Sequence, residues 1–528
     1  MALGTGAALG MTPLWGCSFF RAADAGGGRQ SLAFDPSDFT LLTATVATKQ
    51  GNKTVIYRFH KAIPYVARPV DPVYQSLNVS VPVEIDGVGV DTADAPILFS
   101  IGVGGYMPSS VADADGVGGS GMPGLPPPGM ALPGLPPMSL PPGIGKGVAS
   151  GGNAMIDRSG MVSNAKLALA AGYVVVEPGA RGRTLIDENG TYYGVAPAAI
   201  VDLKAAVRYV RFNRGRIPGN VDRIVSSGTS AGGGLSALLG ASGDSPLYRR
   251  HLAELGAAEA SDAIFASGDW CPITDLEHAD MAYEWNWGAN PLASGQLADR
   301  SVTSELSAAF VGYQSSLGLS GKGGFGRITA ENYADYLLKT YLRPAASHYL
   351  VALDEAARAA YLAENRFIAW EDGTAKFSWN DYLVHVGARR KNAPAFDAFD
   401  LSAGENNLFG VGTLSARHFT SFSLRHATGN ADARLDDDLP EKLVLMNPMP
   451  FILARNAGRA RHWWIRVGAK DSDTALTVVG NLAVALENAG DDVNTAMYWD
   501  AGHGANEDAD AFIKWMGRIS ASSAPDRL

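Results

Sequence analysis

Short apolar runs rich in β-branched residues alternate with longer amphipathic stretches over much of this chain. That alternation limits the fold more than any other feature. NAKLALAAG reads as a helix and Tyr173–Glu177 as the strand after it. The segment from Ala198 reads as a long helix, with Leu203, Ala206, Val207 and Val210 at i, i+3, i+4 and i+7 on one apolar face, and Ile224–Ser227 as its strand. The rhythm returns late in the chain. HWWIRVGAKD reads as a strand with its exit loop, TALTVVGNLAVALENAG as a helix ending near Gly490, DVNTAMYWDAGHG as a strand and loop, and DADAFIKWMGRI as a closing helix. Strands this apolar, separated by helices, predict an α/β protein with a mostly parallel sheet covered on both faces.

Two regions break the pattern. Pro123–Pro142 holds so many prolines that neither a helix nor an internal strand fits, so it reads as a surface insertion. From about Cys271 to Leu439 the chain is rich in Trp, Tyr, His, Asn and charge without a steady period, as expected of a cap inserted over the carboxyl edge of the sheet. The expected organisation is a signal remnant and linker at 1–35 and a first core part at 36–270 with a Pro/Gly-rich insertion at 107–150. A cap at 271–439 and a second core part at 440–528 follow. The 528 residues carry a net charge of −10, which argues against nucleic acid as the main partner, because phosphate binding needs clustered Lys and Arg.

The stretch IVSSGTSAGGGLSALLG, Ile224–Gly240, carries the chemistry. With 62 glycines in the chain, Gly-x-Ser-x-Gly alone is a weak pattern. Here a strand precedes it, a helix follows, and small residues flank the serine, which are the conditions for a nucleophile elbow. Ser230 would stand at the tip with its Oγ exposed. Gly228 and Gly232 would let strand and helix approach. The Ala231 N–H would lie at a helix N-terminus, half of an oxyanion hole. The other half would come from Gly102–Tyr106, which follows an earlier strand, with Gly104 and Gly105 as donors.

A serine hydroxyl needs a base, and on an elbow of this kind the order along the chain is serine, acid, histidine. Of nine histidines, His503 alone follows the last predicted strand, between two glycines. The preceding strand exits into Lys-Asp-Ser-Asp, offering Asp471 and Asp473. Asp471, nearer the strand, is assigned to orient the imidazole.

Gly-Thr-Ser-Ala-Gly-Gly, the segment GDWCPITDLEHADMAYEWNW (Gly268–Trp287), and the pairing of KDSD with a later AGHG together resemble the bacterial tannases. These are tannin acyl hydrolases of the α/β-hydrolase fold. The resemblance runs from about Phe39 to the last helix. It implies a serine esterase of galloyl esters and depsides, with Ser230, Asp471 and His503 as triad and no metal or cofactor. It further implies that Lys391, Glu405 and Asp473 bind the galloyl hydroxyls. Carboxylates accept from vicinal phenols, and a lysine biases a phenol toward phenolate. Thr229 and Gly504 stand where the fungal tannases carry a cysteine pair, so that subtype is excluded. Rival readings are a feruloyl or chlorogenate-type esterase on the same fold, a binding protein on an inactive hydrolase scaffold, and a serine peptidase.

Leu14-Trp15-Gly16-Cys17, after an uncharged apolar start, resembles a lipobox and the later part of an export signal. Export is expected, to the periplasm, to the cell surface as a lipoprotein anchored at Cys17, or as a secreted protein, against the alternative of a disordered terminus in a cytoplasmic enzyme. Two cysteines, Cys17 and Cys271, build no disulfide framework.

Overall fold

A computed structural model describes residues 30–119 and 163–522. Cys17 and Pro123–Pro142 lie outside the described residues. The centre is a ten-stranded sheet. Its strands are β1 (Thr40–Thr48), β2 (Gly51–Pro64), β3 (Ser76–Ile85), β4 (Val88–Gly89), β5 (Ile97–Ser100), β6 (Val174–Pro178), β7 (Ile224–Thr229) and β8 (Ala266–Trp270). Two hairpins outside the sheet, β9 with β10 (Ser320–Gly321, Gly326–Arg327) and β11 with β12 (Ala369–Glu371, Thr374–Lys376), precede β13 (His462–Gly468) and β14 (Asp492–Tyr498). The order is β1-β2-β3-β6-β5-β7-β8-β13-β14, with β4 on β3. From β6 to β14 every pairing is parallel; β1, β2 and β3 are antiparallel and attach to β6.

Side-chain alternation sorts the sheet onto two cores. Ile97, Phe99, Val174, Val176, Trp463, Ile465 and Val467 face one way, against helices Ala198–Phe212, Ala231–Ala241 and Leu476–Asn488. Leu98, Val175 and Trp464 face the other, against Asn164–Ala170 and Ala509–Ser522. Helix Ala198–Phe212 is buried more fully than its predicted single face. Asp202 and Lys204 are also inside, where Arg181 and Asp262 pair with them at 2.8 and 2.7 Å. A buried charge survives only when it is paired in this way.

Between β8 and β13 the chain forms a mainly helical insertion that starts with Leu276–Trp287 and Arg300–Ser316. Its Tyr283, Trp287, Phe310, Tyr333 and Tyr382 join the larger core rather than a core of their own. The insertion is therefore packed on the sheet's helices, and its Tyr382 and Trp287 donate to Ala469 O and Thr474 O just past the carboxyl end of β13.

Candidate active site

β7 ends at Thr229 and a helix starts at Ala231, so the whole reversal falls on Ser230, at φ 61° and ψ −123°. A non-glycine residue there costs on the order of 1–3 kcal/mol and persists only when its surroundings impose it. Ser230 N donates to Trp270 O at 2.9 Å, and its carbonyl accepts from Gly234 and Ile273. The flanking glycines are required by space. A Cβ on Gly228 would stand 2.1 Å from Gly232 O, one on Gly232 2.5 Å from Val103 O, and one on Gly234 2.1 Å from Ile273 O.

The loop after β14 carries His503, and its Nε2 lies 2.8 Å from Ser230 Oγ. The loop after β13 carries Asp471, which is fully buried. Both of its carboxylate oxygens reach His503 Nδ1, at 3.0 and 2.9 Å. With the proton on Nδ1, the imidazole donates to Asp471 and accepts at Nε2 from the serine. Asp473 lies farther off, its Oδ2 4.0 Å from Nδ1, and its own N–H donates to Asp471 at 2.9 Å. The two aspartates therefore stand in different positions toward the ring, although the sequence offers them as near equals.

The loop after β5 runs beside the elbow, with Val103 O against Gly232. Met107 N donates to Gly104 O at 2.9 Å, closing a turn with positive φ at Gly105 and Tyr106. Tyr106 hydroxyl donates to Ile273 O at 3.0 Å, tying this loop to the segment after β8.

Lys391 and Glu405 come from the insertion, each anchored to a different wall. Lys391 N donates to the Tyr283 hydroxyl at 3.2 Å, which donates on to Ser472 O at 2.6 Å, between the two aspartates. The Lys391 ammonium sits 3.6 Å from the centre of the Phe396 ring. Glu405 lies in the first turn of the short helix Gly404–Leu408, and its negative charge favours the cationic form of Arg183 and the neutral form of Tyr106. The Glu405 helix thus adjoins the Gly104–Gly105 turn through Arg183, and the Lys391 backbone adjoins the Asp471–Asp473 loop through Tyr283.

This architecture has relatives of known structure. Fusobacterium nucleatum tannase is similar at 33% identity over 93% of this chain and 100% of that one, with a TM-score of 0.73. The tannin acyl hydrolase of Lactobacillus plantarum is similar at 32% identity, over 93% and 99%, with a TM-score of 0.72. A tannin acyl hydrolase in complex with ethyl gallate is similar at 31%, over 93% and 99%, again at 0.72. The BD-FAE family model matches residues 146–309. None of the curated proteins compared matches the chain. The chain belongs to the bacterial tannase family. It is a carboxylic ester hydrolase of α/β-hydrolase fold.

One neighbour of the imidazole was not foreseen from sequence. Cys271, first residue past β8 and at φ 38°, places Sγ 4.0 Å from His503 Nε2. The sequence holds no cue for it, because Ala266–Trp270 shows no strand pattern that would place Cys271 at a strand's end. Burial pulls the His503 pKa down, but Cys271 and Asp471 outweigh it, so the value stands above the ordinary 6.5. Cys271, Asp471 and His503 hold ligand-type atoms within 4.8 Å of one another. The sulfur faces Nε2, which also meets Ser230 Oγ, and the carboxylate faces Nδ1. Arg390 is a second unforeseen neighbour, its Nε 3.3 Å from Asp473 Oδ1. Among the described residues no helix is long and apolar enough to cross a membrane.

Proposed function

We propose that this enzyme hydrolyses galloyl esters to gallic acid through a galloyl-enzyme. What supports the reading is the Ser230–His503–Asp471 contact, with the Lys391 backbone tied through the Tyr283 hydroxyl to Ser472 beside Asp473 and the Glu405 helix packed on Arg183, which holds the turn after β5. A tri-hydroxylated ring lying between Glu405, Lys391 and Asp473 has two carboxylates to accept from its phenols and one ammonium to donate. A site so built rejects rings that lack the hydroxyls, because its polar groups are then left unpaired.

Ser230 attacks the ester carbonyl while His503 Nε2 takes its proton. Asp471 holds the imidazole tautomer and stabilises the imidazolium. The oxyanion is received by the N–H of Ala231, at the start of an eleven-residue helix, and by Gly104 and Gly105. His503 returns the proton to the leaving alcohol. Water, deprotonated by the same nitrogen, then releases gallate. The relative crystallised with ethyl gallate supports the ligand class. Methyl gallate tests the reading: wild type should release gallate, and Ser230→Ala should lower kcat by about 10⁶-fold.

The BD-FAE match favours a second reading, an esterase of hydroxycinnamate esters. Wild type that prefers methyl ferulate to methyl gallate would establish it and dismiss the first. Export and a lipid anchor at Cys17 belong to the same proposal, on the lipobox-like segment, and mass spectrometry of the native N-terminus tests them.

A further inference from the structure

Arg183 belongs to the segment that leaves β6, and it is only 6% exposed. Its Nε donates to Gly105 O at 2.8 Å and its backbone N to Tyr106 O at 2.9 Å. It therefore supplies two bonds to the turn after β5. On its other side Nη1 donates to Asn407 Oδ1 at 2.9 Å. The guanidinium lies against Gly404 so closely that a Cβ there would stand 2.9 Å from Nη2 and 3.0 Å from Cζ. Gly404, Glu405 and Asn407 share one helical turn. A single planar cation thus bridges the donor loop of the core and the element of the insertion that carries Glu405.

The bridge matters because the turn it grips is strained. Gly105 and Tyr106 both have φ of 55°, a conformation a tyrosine holds only under constraint. Fixing the Gly105 carbonyl fixes the peptide plane it shares with the Tyr106 N–H, and so restricts the swing of the Gly105 N–H on the other side of the same Cα. A rigid fork suits this task, and a lysine ammonium, with one point of charge on a flexible stem, does not.

We propose that Arg183 is a positioning residue: it sets the oxyanion-donor turn and the Glu405 helix in register across the site. The Glu405 half rests on the galloyl reading; the donor-turn half does not. The test compares wild type with Arg183→Lys on methyl gallate and on 4-nitrophenyl acetate, which has no ring hydroxyls, and records melting temperature alongside. Arg183→Lys should lower kcat about 10-fold or more on both esters and raise KM about 5-fold for methyl gallate alone. A lowered melting temperature with kcat unchanged on both esters would reduce Arg183 to a structural cross-link and overturn the proposal. A kcat loss confined to methyl gallate would overturn the donor-turn half. If Arg183→Lys does not fold, Asn407→Ala keeps the arginine and removes one anchor. It should raise KM for methyl gallate about 3-fold, and an unchanged KM would sink the bridge. Should wild type show no preference for methyl gallate over methyl benzoate, the galloyl reading fails, while kcat on 4-nitrophenyl acetate still decides the role of Arg183.

Discussion

At the scale of single residues, the readable ones were those whose chemistry depends on position along the chain. Ser230 announces itself through the glycines that its turn demands, and His503 through its place after the last strand. Cys271 did not, since nothing in its neighbours says which side chain it will face. Arg183 did not either, because its partners Gly105 and Asn407 are 78 and 224 residues away. The His503 pKa carries a prediction. Only the neutral ring accepts the serine proton, so kcat/KM should be present above that pKa and lost below it, with a midpoint above 6.5. Asp471→Asn removes one of the contributions that raise it. The midpoint should move to lower pH while kcat falls about 10⁴-fold, the order found when the orienting acid of a triad is replaced. A pH–rate profile of both proteins checks the direction, and a midpoint left in place would mean that Asp471 does not act on the ring.

At the scale of elements, the strands with apolar alternation were legible and β8 was not. Ala-Ser-Gly-Asp-Trp has no strand pattern, yet all five residues are buried, with the Asp269 carboxyl pushed up to about 7 by burial. Tertiary contacts override propensity at such a central position. The helix Leu276–Trp287 shows how one element serves the site. Its Glu284 and the Arg389 guanidinium form a pair from which water is wholly excluded, and Arg389 Nε donates to Lys391 O at 2.8 Å. Removing one partner of such a pair leaves an unpaired buried charge. Glu284→Gln should cost about 3–5 kcal/mol of stability, measurable by denaturant unfolding. It should also raise KM for methyl gallate, as the Lys391 loop loses its anchor. Wild-type stability in that variant would show that the pair is dispensable.

At the scale of the whole molecule, the insertion is pinned to the core close to the catalytic loops. Tyr382 hydroxyl donates to Ala469 O, and Trp287 Nε1 to Thr474 O at 2.8 Å. Asp500, three residues before His503, collects His385 Nε2 at 2.5 Å, Lys470 Nζ at 2.9 Å and the Tyr361 hydroxyl. Burial works against the Asp500 carboxylate, but these three donors outweigh it and hold its pKa below 3.8. A depressed acid stabilises the fold above its unfolded pKa and loses that contribution as pH falls through the folded value. Asp500→Asn should therefore lower the melting temperature most near neutral pH, with the gap to wild type closing below about pH 4. A gap that stays constant with pH would show that the carboxylate charge is not what docks the insertion. The layered sheet, the elbow and the chain order of serine, acid and histidine are properties of local pattern, since hydrophobic period and turn chemistry act over a few residues. How the insertion lies on the core, that Cys271 meets the imidazole, and which arginine grips the turn after β5 depend on contacts between segments far apart in the chain. Those contacts exist only after the sheet has closed and the insertion has packed, so no local pattern encodes them.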